Sequence, residues 1–122
     1  MTLLFSMVWR MTTLTNPERY EIYFADLNPN IGSEINKIRP VVVISENDMN
    51  TNLETVVICP LTSKLHPKWR TRLQIRCADK QAEIAVDQIR TISKKRLRQK
   101  IDSLSASEAS QLRRIITEMY GE

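Results

Sequence analysis

Glycine, cysteine and histidine are scarce in this chain. Its 122 residues include two glycines, two cysteines and one histidine. These low counts exclude three kinds of site: a glycine-rich phosphate loop opened by a lysine, a disulfide framework or structural zinc site, and a paired-histidine catalytic site within one subunit. We expect no metal and no cofactor, although nothing in these counts excludes a metal bound by carboxylates. Cys59 and Cys77 lie in apolar or alternating runs, where a free thiol packs as a small hydrophobe.

Long apolar runs are missing as well. The stretch from Met1 to Trp9 is apolar, but it is too short to span a membrane and has neither a positive n-region nor a small-residue cleavage pattern. This indicates a cytoplasmic protein with no membrane partner. Because clear patterning begins only at Tyr20, we interpret residues 1–18 as a disordered extension or an upstream start, and residues 19–122 as one domain.

The charge balance is mildly basic. Eighteen Lys and Arg residues against fourteen Asp and Glu residues give a formal charge of +4 and a pI near 9.3. Such an excess favours phosphate backbones or acidic protein segments as partners. The densest basic run is Lys94, Lys95, Arg96, Arg98 and Lys100, and runs of this kind are usually solvated faces.

Short β-rich segments dominate the pattern. Pro40 biases Arg39 toward an extended backbone, and a cluster of breaking residues over Glu46–Asn52 ends the run that follows. Short strands with tight links favour a small antiparallel barrel over a wound parallel sheet. The five predicted strands are Tyr20–Leu27, Val41–Ile44, Glu54–Leu61, Thr71–Arg76 and Ala82–Thr91.

One helix is predicted, near the C-terminus. Ser105 and Glu108 have the spacing of a capping box, Leu104 stands where a hydrophobic staple needs it, and Gly121 suits the end of the helix. Its apolar residues repeat with helical spacing and predict a face packed on the barrel rather than on a partner. They are Ala109, Leu112, Ile115, Ile116 and Met119.

A series of motifs along these strands resembles the MazF/PemK family of toxin endoribonucleases. The resemblance runs from about Arg19 to Leu104. It is carried by Tyr20-Glu21-Ile22-Tyr23-Phe24-Ala25-Asp26-Leu27-Asn28-Pro29, Gly32-Ser33-Glu34, Arg39-Pro40-Val41-Val42-Val43-Ile44, Val56-Val57-Ile58-Cys59-Pro60-Leu61-Thr62-Ser63 and Asp87-Gln88-Ile89-Arg90-Thr91-Ile92.

The resemblance implies both a fold and a function. The fold would be mainly β, a small SH3-like antiparallel barrel of the MazF/PemK/CcdB type with a C-terminal helix. The protein would be a homodimeric toxin of a type II toxin–antitoxin system, silenced by a MazE-like antitoxin whose acidic tail occupies the RNA groove. It would cut single-stranded mRNA at specific sequences without a metal, leaving a 2′,3′-cyclic phosphate and a 5′-hydroxyl.

Arg39 and Thr62 are the catalytic candidates. RNA carries its own nucleophile, the 2′-hydroxyl, so cleavage needs a proton acceptor, a proton donor and a cation for the phosphorane. The planar guanidinium of Arg39 suits the cation, and the Thr62 hydroxyl can donate to a phosphate oxygen but is a poor base. The resemblance assigns catalytic roles to both residues.

The proton acceptor is left open between two carboxylates. Asp87 precedes Gln88 where some family members place a general base, but Ala85 stands where those members have an arginine two residues upstream, and Asp87 could instead hold Arg90 or a base. Glu34 could accept a proton or contact RNA, in a loop that is either a simple connection or a substrate gate. Some relatives have a histidine where this chain has Ser33.

A basic loop follows Thr62 and predicts an RNA contact. It interleaves positive charge with one indole, the combination that holds single-stranded RNA by backbone charge and base stacking. Trp69 could equally belong to the core. The predicted RNA-binding residues are Asn30, Ser33, Lys37, Ser63, Lys64, His66, Trp69, Arg70 and Gln88.

Two other functions fit the pattern less well. A non-cleaving DNA gyrase poison shares this barrel but would end in Trp-Gly-Ile, whereas this chain ends in Tyr120-Gly121-Glu122. A noncatalytic RNA-binding barrel is suggested by Ala85 and Ser33. Replacing Arg39 with alanine separates them from a ribonuclease, because a binder would lose only affinity and some salt dependence.

Overall fold

The computed structural model describes residues 16–28 and 38–121. These residues form seven strands, two α-helices and two 3₁₀ turns, Val86–Gln88 and Lys94–Arg96. The helices are α1 (Asn47–Asn52) and α2 (Ala106–Tyr120). The strands are β1 (Glu21–Asp26), β2 (Ile38–Val43), β3 (Thr55–Thr62), β4 (Arg72–Cys77), β5 (Lys80–Ala85), β6 (Arg90–Ser93) and β7 (Leu97–Ser103).

The strands form one curled antiparallel sheet in the order β4-β5-β3-β2-β1-β7. β3 is the branching strand, because its first half pairs with β6 and its last two residues, Leu61 and Thr62, pair with β5. β1 and β7 pair irregularly, with register shifts on either side of Tyr23. The predicted mainly β architecture with a C-terminal helix is confirmed.

Two details of the predicted elements were wrong, and one strand was not predicted. The polar cluster after β2 contains α1, which begins at Asn47 rather than only breaking the strand. The fifth predicted strand is divided into β5 and β6 by the turn Val86–Gln88. The strand that was not predicted is β7, which forms beside β1 and contains the second half of the basic run.

Two apolar clusters lie on opposite faces of the sheet. Helix α2 covers one of them with the buried Ala109 and Leu112, as its apolar stripe predicts. Its N-terminus carries both hydrogen bonds of the capping box between Ser105 and Glu108. The second cluster consists of Ala25, Leu27, Val41, Val43, Val56, Ile58 and Ile92.

The β4–β5 hairpin turns through two residues in left-handed backbone conformations. Ala78 has φ 51° and Asp79 has φ 65°, between the paired Cys77 and Lys80. Two positive φ angles are the mark of a type I′ turn, whose twist matches that of the strands. Both cysteines are free and buried, as predicted, and burial raises the pKa of the Cys59 thiol to about 12.

The boundary between the predicted extension and the domain stays a prediction. Asn16 accepts a hydrogen bond from Lys94 Nζ at 2.9 Å, and Pro17 is buried. The last residues of the segment 1–18 therefore lie against the sheet. Residues 1–15 of that segment lie outside the described residues.

Candidate active site

Arg39 and Thr62 are neighbours across the sheet. β2 and β3 pair with Val41 opposite Pro60 and Val43 opposite Ile58, and continuing this register by two residues places Arg39 opposite Thr62. Directly opposed residues of an antiparallel pair project from the same face, with their Cβ atoms about 5 Å apart. The two catalytic candidates therefore share one face at the edge where β2 begins and β3 ends.

The surroundings of this pair suit a phosphate. Burial of the half-buried Arg39 lowers the pKa of its guanidinium, but an arginine stays protonated in proteins. Arg39 Nη1 makes a long hydrogen bond of 3.5 Å to the Leu61 carbonyl, which directs the guanidinium toward the end of β3. Thr62 Oγ1 accepts from the Lys64 backbone N–H at 3.1 Å, and that bond leaves the hydroxyl proton to be donated.

A fully buried carboxylate lies next in the same row. Glu83 of β5 pairs with Thr62, and none of its surface is exposed. It accepts hydrogen bonds from the His66 backbone N–H, from Gln74 Nε2 at 2.6 Å and from Arg72 Nη1 at 2.6 Å. Burial raises the pKa of the Glu83 carboxyl, but these hydrogen bonds outweigh it and the pKa is lowered.

Asp87 is held by the neighbouring strand. Its carboxylate accepts from Arg72 Nε at 2.8 Å and from Thr71 Oγ1 at 2.9 Å. Burial raises the pKa of Asp87, but the bonds from Arg72 and Thr71 lower it more, so the net shift is downward. A carboxylate of low pKa is a weak proton acceptor, and this arrangement favours the interpretation that Asp87 holds an arginine, here Arg72.

The small side chain of Ala85 makes this ion pair possible. Ala85 and Arg72 are directly paired between β5 and β4, and Ala85 is fully buried. With only a methyl group opposite it, the Arg72 side chain can lie across the sheet and reach both Glu83 and Asp87. An arginine thus reaches Asp87 from β4, although position 85 of β5 carries none.

The loop after β3 presents most of the predicted RNA-binding side chains. Ser63, Lys64 and Arg70 are exposed. Trp69 is 49% exposed and stacks on the half-buried His66, so the alternative of a core tryptophan does not fit. Gln88 is half-buried in the turn that also carries Asp87.

Four predicted site residues lie outside the described part of the chain: Asn30, Ser33, Lys37 and Glu34. Their roles stay predictions. Within the described ranges, no group of three or more histidine, cysteine or carboxylate side chains could hold a metal ion. In the same ranges, no helix is long and apolar enough to cross a membrane.

Sequence reasoning missed Glu83, Arg72 and Gln74. The alternation of β4 suggests that Arg72 and Gln74 face solvent, and Glu83 looks like one polar position in an ordinary strand. The one local signal is that Glu83 is followed by the apolar run Ile84-Ala85-Val86. A carboxylate that begins such a run is a candidate for burial with a partner.

Comparison with known proteins identifies the family of this chain. The family described as PemK-like, MazF-like toxin of type II toxin–antitoxin system matches residues 18–120. The endoribonuclease MazF of Staphylococcus epidermidis is 38% identical over 95 residues, which cover 74% of this chain and 79% of that protein.

Solved structures share the fold at low sequence identity. Form I of MazF from Deinococcus radiodurans aligns with a TM-score of 0.77 at 17% identity, covering 88% of this chain and 99% of that one. An endoribonuclease from a mycobacterial species, in complex with its cognate antitoxin, aligns with a TM-score of 0.73 at 20% identity over 86% and 95% of the two chains. The chain belongs to the PemK-like, MazF-like toxins of type II toxin–antitoxin systems, the family of the endoribonuclease MazF.

Proposed function

We propose that this endoribonuclease toxin cuts single-stranded mRNA by attack of the 2′-hydroxyl on the adjacent phosphorus, with Arg39 and Thr62 as its catalytic residues. The observation that supports this assignment is the β2–β3 register, whose continuation beyond Val41 and Pro60 brings Arg39 opposite Thr62. The new bond joins the 2′-oxygen to phosphorus, and the bond from phosphorus to the 5′-oxygen breaks. One proton leaves the 2′-hydroxyl and one joins the 5′-oxygen, giving a 2′,3′-cyclic phosphate and a 5′-hydroxyl.

Arg39 supplies the positive charge in this proposal. The phosphorane gains negative charge on its nonbridging oxygens, and a fixed guanidinium stabilises that charge more than it stabilises the ground state. Because an arginine provides this cation, the reaction proceeds without a metal. Thr62 donates its hydroxyl proton to one nonbridging oxygen and orients the phosphate.

The proposed partners follow from charge and from the relatives. The formal charge of +4 suits both RNA and an acidic antitoxin segment, and one structural relative was solved with its cognate antitoxin. We propose that this chain acts in the cytoplasm as a homodimer and is silenced by a MazE-like antitoxin whose acidic tail covers the Arg39–Thr62 edge.

The test is incubation of the purified protein with a long single-stranded RNA in EDTA, followed by mapping of cut sites and end groups. We expect discrete cuts with cyclic phosphate ends, and a loss of cleavage by Arg39→Ala of about 10³-fold or more. Arg114→Ala removes the same charge from an exposed position of α2 and should cut normally. Equal cutting by Arg39→Ala would remove Arg39 from catalysis, and an uncut RNA would favour a noncatalytic binder or a gyrase poison.

A further inference from the structure

A layered aromatic unit stands on the loop after β3. The imidazole of His66 and the indole of Trp69 lie 3.8 Å apart between ring centroids and 9° from parallel. The Arg72 guanidinium lies over the same indole, 4.7 Å from its centroid. An imidazole at van der Waals distance fills one face of the indole, so we infer that the guanidinium occupies the opposite face.

This layering decides which ring can receive a ligand. With His66 on one face and Arg72 on the other, the indole of Trp69 offers a ligand only its edge. The Arg72 end of the stack is nearly buried, with 7% of its side chain exposed, whereas His66 at the other end is half-buried. The imidazole face turned away from Trp69 is therefore the face left for a ligand. We call the His66 imidazole, with Trp69 behind it, the stacking platform.

The stacking platform is anchored to the catalytic edge by the buried carboxylate of Glu83. That carboxylate accepts the His66 backbone N–H and pairs with Arg72, so it holds both ends of the layered unit. Glu83 also stands directly opposite Thr62. Glu83 therefore connects the platform to the proposed phosphate position, through its hydrogen bond from His66 and its pairing with Thr62.

The surroundings of the platform identify its occupant. Lys64, Lys68 and Arg70 are exposed on the same short loop, and their positive charges suit a phosphate backbone. A flat aromatic surface beside such charges is how proteins hold the splayed bases of single-stranded RNA. Stacking accepts every base, because each base has a π-face.

We propose that the His66 face of this platform stacks one unpaired RNA base next to the phosphate held by Arg39 and Thr62, with Glu83 and Arg72 as positioning residues. The proposal rests on the proposed ribonuclease function for the identity of that phosphate. It assigns His66 and Trp69 distinct roles, since His66 contacts the base and Trp69 supports His66.

The test measures whether removing one RNA base and removing the His66 ring have coupled effects on binding affinity. An octamer with the sequence of a cut site, fully 2′-O-methylated to prevent cleavage, is made with each base in turn replaced by an abasic residue. One abasic position should weaken binding to the wild type about tenfold and should weaken binding to His66→Ala hardly at all. His66→Ala removes only the ring, since the bond to Glu83 comes from the backbone.

Two further variants separate stacking from other effects. His66→Phe keeps an aromatic face and should restore the sensitivity to that abasic position. Lys68→Ala should weaken all octamers by the same factor, because a phosphate contact does not depend on the base. If every abasic position weakens the wild type and His66→Ala equally, the platform does not bind a base, and a protein segment becomes the better occupant.

The result also separates this proposal from the proposed function. RNA that is cut without any coupling at His66 would reject the platform alone. A protein that cuts nothing would be tested with homopolymeric 2′-O-methyl octamers of each base. If an abasic residue in such an octamer weakened binding to the wild type but not to His66→Ala, the platform would be supported and the ribonuclease function rejected.

Discussion

At the scale of single residues, Glu83 places a charge where none of its surface meets water. A buried carboxylate is costly unless it is paired and hydrogen-bonded, and here three donors satisfy it, two from β4 and one from the loop after β3. The sequence could not reveal this, because the register that brings Glu83 beside Thr62 is a tertiary property. Arg39 and Thr62 could be named as candidates, because their motifs lie in continuous stretches of the chain.

Glu83→Gln should lower the free energy of unfolding by about 3 kcal/mol. The change leaves Arg72, whose side chain is 7% exposed, with Asp87 as its remaining carboxylate partner among those described. Urea denaturation measures the effect. Glu54→Gln is the matched control at an exposed position and should change stability by less than about 0.5 kcal/mol.

The two carboxylates that pair with Arg72 make the stability of the fold sensitive to acid. Glu83 and Asp87 both have lowered pKa values, so the unfolded chain binds more protons than the folded one as the pH falls. Their contribution is complete above the ordinary carboxyl values of 4.5 for Glu83 and 3.8 for Asp87, and it is lost as the pH falls through the lower folded values. Denaturation across this range should show a shallower decline for Glu83→Gln, and an identical slope would contradict the assignment.

Asp87→Asn tests which role Asp87 has. Because its carboxylate is held by Arg72 and Thr71 and its pKa is lowered, we expect cleavage to fall by about tenfold or less, through small shifts of the site. Initial rates on the same RNA, beside Arg39→Ala, provide the comparison. A loss as large as that of Arg39→Ala, with disappearance of the acid limb of the pH–rate profile, would identify Asp87 as the general base instead.

At the scale of elements, local signals predicted some segments well and others poorly. Helix α2 could be predicted because the residues of its capping box and apolar stripe lie in consecutive turns of one segment. β7 could not, since Arg98, Gln99 and Lys100 in its middle are polar and exposed. It forms against β1, with ion pairs from Arg98 to Asp26 at 3.6 Å and from Lys100 to Glu21 at 2.9 Å.

Ala78→Gly should raise the free energy of unfolding by about 0.5–1 kcal/mol. Ala78 has φ 51°, a conformation that costs an L-residue about 1–2 kcal/mol and a glycine almost nothing. Part of the gain is offset by the greater freedom of glycine in the unfolded chain. Thermal or urea unfolding measures it, and a destabilised variant would show that the turn does not strain Ala78.

At the scale of the whole molecule, the class of fold and the family could be predicted, but the sheet order could not. Short strands with tight links indicated an antiparallel barrel. The two different neighbours of β3 on one side, β6 and then β5, depend on the turn Val86–Gln88, which interrupts what looks in the sequence like a single strand. The family match over residues 18–120 confirms the predicted toxin family.

RNA binding should weaken steeply with salt, because a chain with a formal charge of +4 releases counterions from the phosphates that it neutralises. On a single-stranded RNA, each lost phosphate contact reduces the slope of log K against log salt by about 0.7. We expect that reduction for Lys68→Ala and an unchanged slope for Arg114→Ala. Titrations of the 2′-O-methylated octamer at several salt concentrations give both slopes, and equal slopes would remove Lys68 from the RNA contact.

The pairing of β1 with β7 joins the beginning of the described domain to the residues just before α2. During synthesis, β1 leaves the ribosome long before β7 exists. The edge of β1 that faces β7 therefore has no intramolecular partner until most of the domain has been translated. Contacts between segments that are distant in the sequence also form slowly. A broken message that ends before β7 would yield a chain that cannot complete its sheet. The toxin therefore gains its full structure only when its own message has been translated nearly to the end.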